Sequence, residues 1–99
     1  MSSHLWSENA SFSAGTLQLS GISVAQLAKD FGTPTFFLDE LAFRSRALSW
    51  QSGIEQEFGS DAGTVFYAAK SFICTAVAQW IADLGIGIDV CTGGELAVA

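Results

Sequence analysis

Residues 64–69 form an apolar run without polar alternation, and this run restricts the possible folds more than any other part of the chain. Such a strand is typical of a parallel sheet that is covered on both faces. After Lys70 comes a helical stripe that includes Val77 and Ile81, and a second apolar run follows over residues 86–91. Strands that alternate with helices through short links predict right-handed crossovers and an α/β architecture.

Three hydroxyl residues stand where a helix is expected to begin. Ser23, Ser71 and Thr92 each precede an apolar stripe and can cap the free amide groups of a first turn. Gln26 and Glu95 lie three residues after Ser23 and Thr92, respectively, which predicts a capping box at each of these two sites.

The chain divides by composition into three predicted segments. Residues 1–14 are rich in Ser and Asn without periodicity, which predicts a flexible leader containing the only histidine, His4. Residues 15–63 lead into the parallel sheet, and residues 64–99 contain the strand and helix units described above. The elements predicted within 15–63 are a strand at 16–20, a helix after Ser23, a strand at 34–38 and a helix at 39–58.

Charge and hydropathy exclude several classes of protein. Four basic and ten acidic side chains give a net charge of −6, which does not favour binding to nucleic acid. The most apolar stretch, residues 72–91, is interrupted by polar residues and is too broken to span a membrane. Without a secretory signal at residues 1–12, a cytoplasmic protein is predicted.

Cys74 and Cys91 are far apart and away from His4, so we expect reduced thiols and no metal site.

Two charged residues lie at the carboxyl ends of the two predicted strands. Alternation along each strand puts Lys70 on the face of Ala68 and Asp89 on the face of Gly87, so each charge adjoins a small residue. Ligand sites of α/β folds lie at such strand ends, and small residues there leave room for a flat ligand. The alternative is a lysine that extends into solvent beside a solvated carboxylate.

Three motifs resemble a known family, the pyridoxal-phosphate decarboxylases with an alanine-racemase-type barrel. Residues 66–72, Phe-Tyr-Ala-Ala-Lys-Ser-Phe, resemble the family's cofactor-lysine motif. Residues 89–96, Asp-Val-Cys-Thr-Gly-Gly-Glu-Leu, are similar to its second signature, and residues 32–40 are similar to its opening segment. The second signature resembles that of diaminopimelate decarboxylases more than that of the ornithine or arginine enzymes.

The resemblance implies a fold, a cofactor and a reaction. The fold is a partial (β/α)8 TIM barrel of fold type III, of which the chain contains only the first βα units. The cofactor is pyridoxal 5′-phosphate, with Lys70 as the catalytic residue that holds it as a Schiff base and Asp89 and Glu95 as further cofactor-binding residues. The reaction is decarboxylation of meso-diaminopimelate to L-lysine by a homodimeric enzyme. Ser71 departs from the alanine that is commoner after this lysine.

Two alternatives stay open at this point. The substrate is expected to be an amino acid, a small molecule. The enzyme could instead be another pyridoxal-phosphate-dependent decarboxylase of basic amino acids or a racemase, because the family's substrate-binding residues lie beyond the part that matches Ala99. A truncated or pseudoenzyme segment without catalysis is the other hypothesis. We expect the 99-residue chain alone to be inactive and marginally folded, because its parallel strands have unpaired edges and its helices lack partners.

Overall fold

The computed structural model describes residues 6–99, which form five strands, four helices and one 3₁₀ turn. The strands are β1 (Ala10–Ser13), β2 (Thr16–Leu19), β3 (Ile22–Ser23), β4 (Phe66–Ala68) and β5 (Gly87–Asp89). The helices are α1 (Val24–Phe31), α2 (Glu40–Phe58), α3 (Thr75–Leu84) and α4 (Gly93–Val98), and the 3₁₀ turn is Ala69–Ser71. The chain divides into two compact units, one ending at Phe43 and the other beginning at Arg44.

The first unit contains an antiparallel sheet in the order β1-β2-β3. Two-residue loops join its strands, and both residues of each loop have positive φ: 48° and 76° at Ala14 and Gly15, and 49° and 81° at Ser20 and Gly21. This is the pattern of type I′ turns, whose twist matches the twist of the strands that they connect. The predicted strand at 16–20 is confirmed as β2.

The predicted leader differs from the structure. Its residues 1–5 lie outside the described residues, and so does His4. Residues 10–13 form β1, which pairs with β2 from Ala10 opposite Leu19 to Ser13 opposite Thr16. The pattern indicated no strand before residue 16, and this was wrong for residues 10–13, because a tight turn and an adjacent partner strand order residues whose own pattern carries no signal.

The helix after Ser23 is confirmed as α1, but its predicted capping box is not formed. The Ser23 side chain makes no capping hydrogen bond, and the Gln26 amide donates to Asp30 at 2.7 Å instead. The predicted strand at 34–38 is also wrong. None of the described strands pairs with it, and Phe36 is fully exposed, so this apolar run is extended without a sheet.

The second unit contains all of the buried side chains found among residues 6–99. Val77 and Ile81 of α3 are each 1% exposed and pack in a small core with Ala47 of α2 and Ala69. The helix predicted at 39–58 is confirmed as α2, and the stripe predicted on α3 is confirmed at Val77 and Ile81. The apolar face of α2 is nevertheless only partly covered, with Trp50 68% and Phe58 74% exposed.

Strands β4 and β5 pair in parallel, as the alternation of strands and helices predicted. Both are shorter than the apolar runs that contain them, and Phe66 is 62% exposed, so the described residues do not cover both faces of β4. Helix α3 begins after Cys74, and the prediction of a Ser71 cap is wrong. Gly85 ends this helix in the left-handed region at φ 66°, as predicted.

No helix among the described residues is both long enough and apolar enough to cross a membrane. Cys74 and Cys91 are free thiols.

Candidate active site

The carboxyl ends of β4 and β5 lie side by side at one edge of the parallel sheet. Ala68 is opposite Asp89 in the register, and the Gly87 amide donates to the Val65 carbonyl at 2.9 Å as the ladder begins. Lys70 follows Ala68 by two residues. The sheet thus brings the Asp89 strand end next to the segment that carries Lys70, which is where α/β folds place ligand sites.

Lys70 lies in the 3₁₀ turn after β4 and not on the strand itself. The alternation of strand side chains therefore does not set its direction, and the predicted common face with Ala68 does not apply. The side chain is exposed, and among residues 6–99 it makes neither a hydrogen bond nor an ion pair with Asp89 or any other residue. Its amine is consequently available for chemistry with a molecule outside the described residues.

Gly87, two residues before Asp89 on β5, has a packing role that the sequence pattern did not predict. A Cβ atom added to Gly87 would overlap the ring of Phe66, its partner across the sheet. The prediction that small residues leave an open shelf is therefore wrong at Gly87, because the aromatic ring takes the space. Only Ala68, opposite Asp89, remains as a small neighbour on this edge.

Two hydroxyl groups enclose the backbone of the Lys70 turn. The Tyr67 hydroxyl donates to the Phe72 carbonyl at 2.6 Å, and the Ser71 hydroxyl lies 2.8 Å from the Ala68 carbonyl and 3.0 Å from the Tyr67 hydroxyl. Sequence reasoning missed this arrangement because it assigned Ser71 to the cap of α3. The spacing of four residues between Tyr67 and Ser71 was the available signal.

Glu95 closes the loop between β5 and α4. Its carboxylate accepts a hydrogen bond from the Cys91 amide at 2.7 Å, and its own amide donates to the Thr92 hydroxyl oxygen at 3.1 Å. One half of the predicted capping box, the bond from the Glu95 amide to Thr92, is confirmed; in the other half the Glu95 carboxylate binds the Cys91 amide and not the amide of the cap residue. The structure therefore shows Glu95 ordering the loop that follows Asp89 and shows no contact between Glu95 and Lys70.

An ion pair joins α2 to α3 in the second unit. Arg44 and Asp83 approach to 3.0 Å, and Gln79 donates to the other Asp83 oxygen at the same distance. The hydrogen bond from Gln79, followed by the one from Arg44, lowers the pKa of Asp83 below its usual value. Gln51 adds a hydrogen bond to the Leu84 carbonyl at 3.0 Å, so the helix between β4 and β5 is held at its carboxyl end.

An apolar groove of about 240 Å³ lies in the first unit, lined mainly by leucine and phenylalanine. Ser20, Asp39 and Glu40 are its polar residues, and the Asp39 carboxylate accepts hydrogen bonds from the Ser20 hydroxyl at 2.8 Å and the Ala42 amide at 3.1 Å. Burial raises the pKa of Asp39, but these bonds and others from Asn9 and Leu41 outweigh it and lower the pKa below its usual value. This carboxylate caps the first turn of α2.

Comparison with solved structures defines the class of fold. One solved chain matches 94% of this chain with a TM-score of 0.76 and 29% sequence identity, and this chain covers 22% of it. The likeness shows that the chain contains part of a (β/α)8 barrel of fold type III. The matched structure is diaminopimelate decarboxylase from M. jannaschii, and a second structure of that enzyme, solved with L-lysine, matches with a TM-score of 0.74.

Sequence comparison leads to the same enzyme. Diaminopimelate decarboxylase of Mycobacterium tuberculosis is 46% identical over 97 residues, which is 97% of this chain and 21% of that protein. The enzyme of Mycobacterium leprae is 41% identical over 100 residues, covering all of this chain and 20% of that protein. No family model matches. The chain is thus related to diaminopimelate decarboxylase along nearly its whole length and spans about a fifth of the length of these relatives.

Proposed function

We propose that an enzyme containing this chain catalyses the pyridoxal-phosphate-dependent decarboxylation of meso-diaminopimelate to L-lysine. Lys70 is the residue proposed to hold the cofactor covalently, and Asp89 and Glu95 are proposed to belong to the same site. The observation that carries the proposal is the parallel pairing of β4 with β5, which brings the Asp89 strand end beside the segment that leads into Lys70.

The residues present fit a cofactor that is bound through an amine. Lys70 is exposed at the carboxyl end of a parallel strand, without a competing partner among residues 6–99, and Asp89 is exposed on the neighbouring strand. A lysine amine in such a position can form a covalent bond with an aldehyde. Pyridoxal phosphate, when bound, supplies an electron sink for the carbanion that remains when carbon dioxide departs.

The other contribution of this chain is to orient the site. The register of β4 and β5 fixes Asp89 opposite Ala68, so its backbone lies beside the strand end that leads into the Lys70 turn. Glu95 holds the Cys91 amide and thereby orders the loop that begins directly after Asp89. Removing Glu95 is expected to disturb this loop even where the carboxylate does not touch the cofactor.

Covalent labelling tests the assignment of Lys70. An enzyme of full family length that contains this sequence would be incubated with pyridoxal phosphate, reduced with borohydride and mapped by peptide. This chain contains two lysines, Lys29 on α1 and Lys70, which makes the result simple to interpret. We expect the label on Lys70, its loss in Lys70→Arg, and release of carbon dioxide from meso-diaminopimelate by the unsubstituted enzyme but not by Lys70→Arg.

The matched control is Lys29→Arg, which changes an exposed lysine on α1 by the same substitution. It should leave both label and turnover unchanged. A label on Lys29, or on a lysine outside this chain, would contradict the proposal. Enzyme that carries no label at all would favour the alternative of a non-catalytic segment.

The choice of substrate requires a separate measurement. The relatives named above are diaminopimelate decarboxylases, which supports the diacid as substrate over other basic amino acids. Carbon dioxide release from meso-diaminopimelate, ornithine, arginine and lysine would be compared at equal concentration. Preference for one of the other three would keep Lys70 as the cofactor residue and replace the substrate. The homodimer implied by the family remains a prediction, to be checked by measuring the mass of the enzyme in solution.

A further inference from the structure

We propose that Tyr67 and Ser71 form a hydroxyl clamp, a pair of positioning residues that fix the turn carrying Lys70 and thereby the direction of its amine. The proposal rests on the function proposed for Lys70 and adds two residues to it. Neither hydroxyl is assigned a part in the chemistry. Each acts on Lys70 through the backbone on either side of it.

The clamp is defined by three short contacts around one residue. On the amino side of Lys70, the Ser71 hydroxyl lies 2.8 Å from the Ala68 carbonyl, and on the carboxyl side the Tyr67 hydroxyl donates to the Phe72 carbonyl at 2.6 Å. The two hydroxyls are 3.0 Å apart. Two hydroxyl protons serve these three contacts, so Ser71 donates either to Ala68 or to Tyr67 while Tyr67 donates to Phe72.

The turn needs such support because its own hydrogen bonding is poor. A 3₁₀ segment of three residues has weaker bond geometry than an α-helix, and the Lys70 side chain makes no hydrogen bond or ion pair among residues 6–99. Ala69 is only 2% exposed and anchors the turn on the inner side. On the exposed side of the turn, the described residues support it through the contacts of the Tyr67 and Ser71 hydroxyls.

A serine hydroxyl commonly bonds a carbonyl three residues back, and that contact alone would be a local motif. The Tyr67 hydroxyl distinguishes this site, because it spans the turn to Phe72 and touches Ser71 on the way. The cofactor-lysine motif that this chain resembles has alanine more often at the position of Ser71. The Ser71 half of the clamp is therefore a feature of this chain that the commoner form of the motif lacks.

The test uses Ser71→Ala, Ser71→Thr and Tyr67→Phe in an enzyme of full family length that contains this sequence. Two quantities would be measured for each variant. The first is amide hydrogen exchange across residues 69–73 without cofactor, which reports the turn independently of any activity. The second is the initial rate at which borohydride traps pyridoxal phosphate on Lys70.

We expect Ser71→Ala to speed exchange and to slow trapping by about fivefold each, the effect of one ordinary hydrogen bond. Tyr67→Phe should act in the same direction, and Ser71→Thr, which keeps the hydroxyl, should restore both values to within about twofold of the unsubstituted enzyme. Ser52→Ala, which removes an exposed hydroxyl from α2, is the matched control and should change neither.

Three outcomes would overturn the proposal in distinguishable ways. If Lys70 is trapped normally in all three variants and exchange is unchanged, the clamp does not fix the turn, and the proposed function stands. If exchange rises but trapping does not slow, the hydroxyls stabilise the turn without directing Lys70. If the unsubstituted enzyme carries no cofactor on Lys70, the proposed function fails and the positioning role fails with it.

Discussion

The two units of this chain are stabilised in different ways. In the first unit the described residues include no buried side chain, and order comes from two type I′ turns, a capped helix start and the sheet ladder. In the second unit Val77 and Ile81 are 1% exposed, and the helices and the parallel pair pack around them. The first unit therefore depends on local hydrogen bonding and backbone geometry, and the second on the exclusion of water.

The difference shows where substitutions should be costly. Removing methylene groups from a filled core costs transfer free energy and leaves a cavity, whereas an exposed turn or cap contributes only one or two hydrogen bonds. The candidate site belongs to the second unit, next to the core residue Ala69. Its geometry is thus built on the part of the chain that has a core.

The largest effect is predicted for Ile81→Ala. Because Ile81 is fully buried, its truncation should reduce the stability of the second unit by about 3 kcal/mol. Amide hydrogen exchange resolved by peptide measures each unit separately, and we expect faster exchange in α3 and in β4 with little change in β1 and β2.

The matched control for this substitution is Ile22→Ala in β3. Ile22 is 50% exposed, so the same truncation should cost less than about 1 kcal/mol in the first unit. Equal losses for the two substitutions would show that the first unit has a core as important as that of the second, and the contrast between them would be lost.

An intermediate effect is predicted for Asp39→Ala, which removes the cap of α2. The loss of a capping carboxylate costs about 1 kcal/mol, and exchange at Ala42 and Phe43 should rise accordingly. Asp39→Asn keeps an oxygen for the Ala42 amide and is the matched control, so its effect should be smaller. A loss of the same size for both substitutions would mean that charge, and not the cap, is what matters.

The pH dependence of this cap follows from the direction of the shift. Because hydrogen bonding lowers the pKa of Asp39 in the folded chain, its contribution is present above the pKa of the unfolded chain and is lost as pH falls through the folded value. The pKa of Asp83 is lowered as well, so the second unit should also weaken in acid. Between pH 5 and 8, both contributions are expected to be constant.

Sequence patterns correctly predicted those elements whose signals lie within the element itself. The stripe of α3, the extent of α2 and the box of Thr92 with Glu95 follow from periodicity and capping chemistry, which act within one element. The parallel pairing of β4 with β5 followed from the order of strands and helices. The three motifs indicated a resemblance to diaminopimelate decarboxylases, proteins to which the chain is also similar over nearly its whole length, and comparison with solved structures confirmed the barrel class.

What the patterns missed depends on neighbours. Residues 10–13 become a strand only because a turn presents β2 to them, and residues 34–38 remain outside any sheet because none of the described strands lies beside them. The 3₁₀ turn at Lys70 interrupts an alternation that would otherwise have set the direction of the side chain. The ring of Phe66 fills the space above Gly87, which residue size alone could not indicate.

The smallest effect is predicted at the first turn. Ala14 has φ 48°, a left-handed conformation that costs an alanine about 1 kcal/mol and that asparagine tolerates, so Ala14→Asn should stabilise the β1–β2 hairpin by about 0.5–1 kcal/mol. Ser20 holds the same position in the second turn at φ 49°, but its hydroxyl donates to Asp39. Ser20→Asn should therefore gain less, since relief of the backbone is offset by the lost bond. Slower exchange of the β1 amides in Ala14→Asn alone would show that backbone geometry limits the stability of the first unit. Equal gains in stability at both turns would show that the bond from Ser20 to Asp39 contributes nothing to stability.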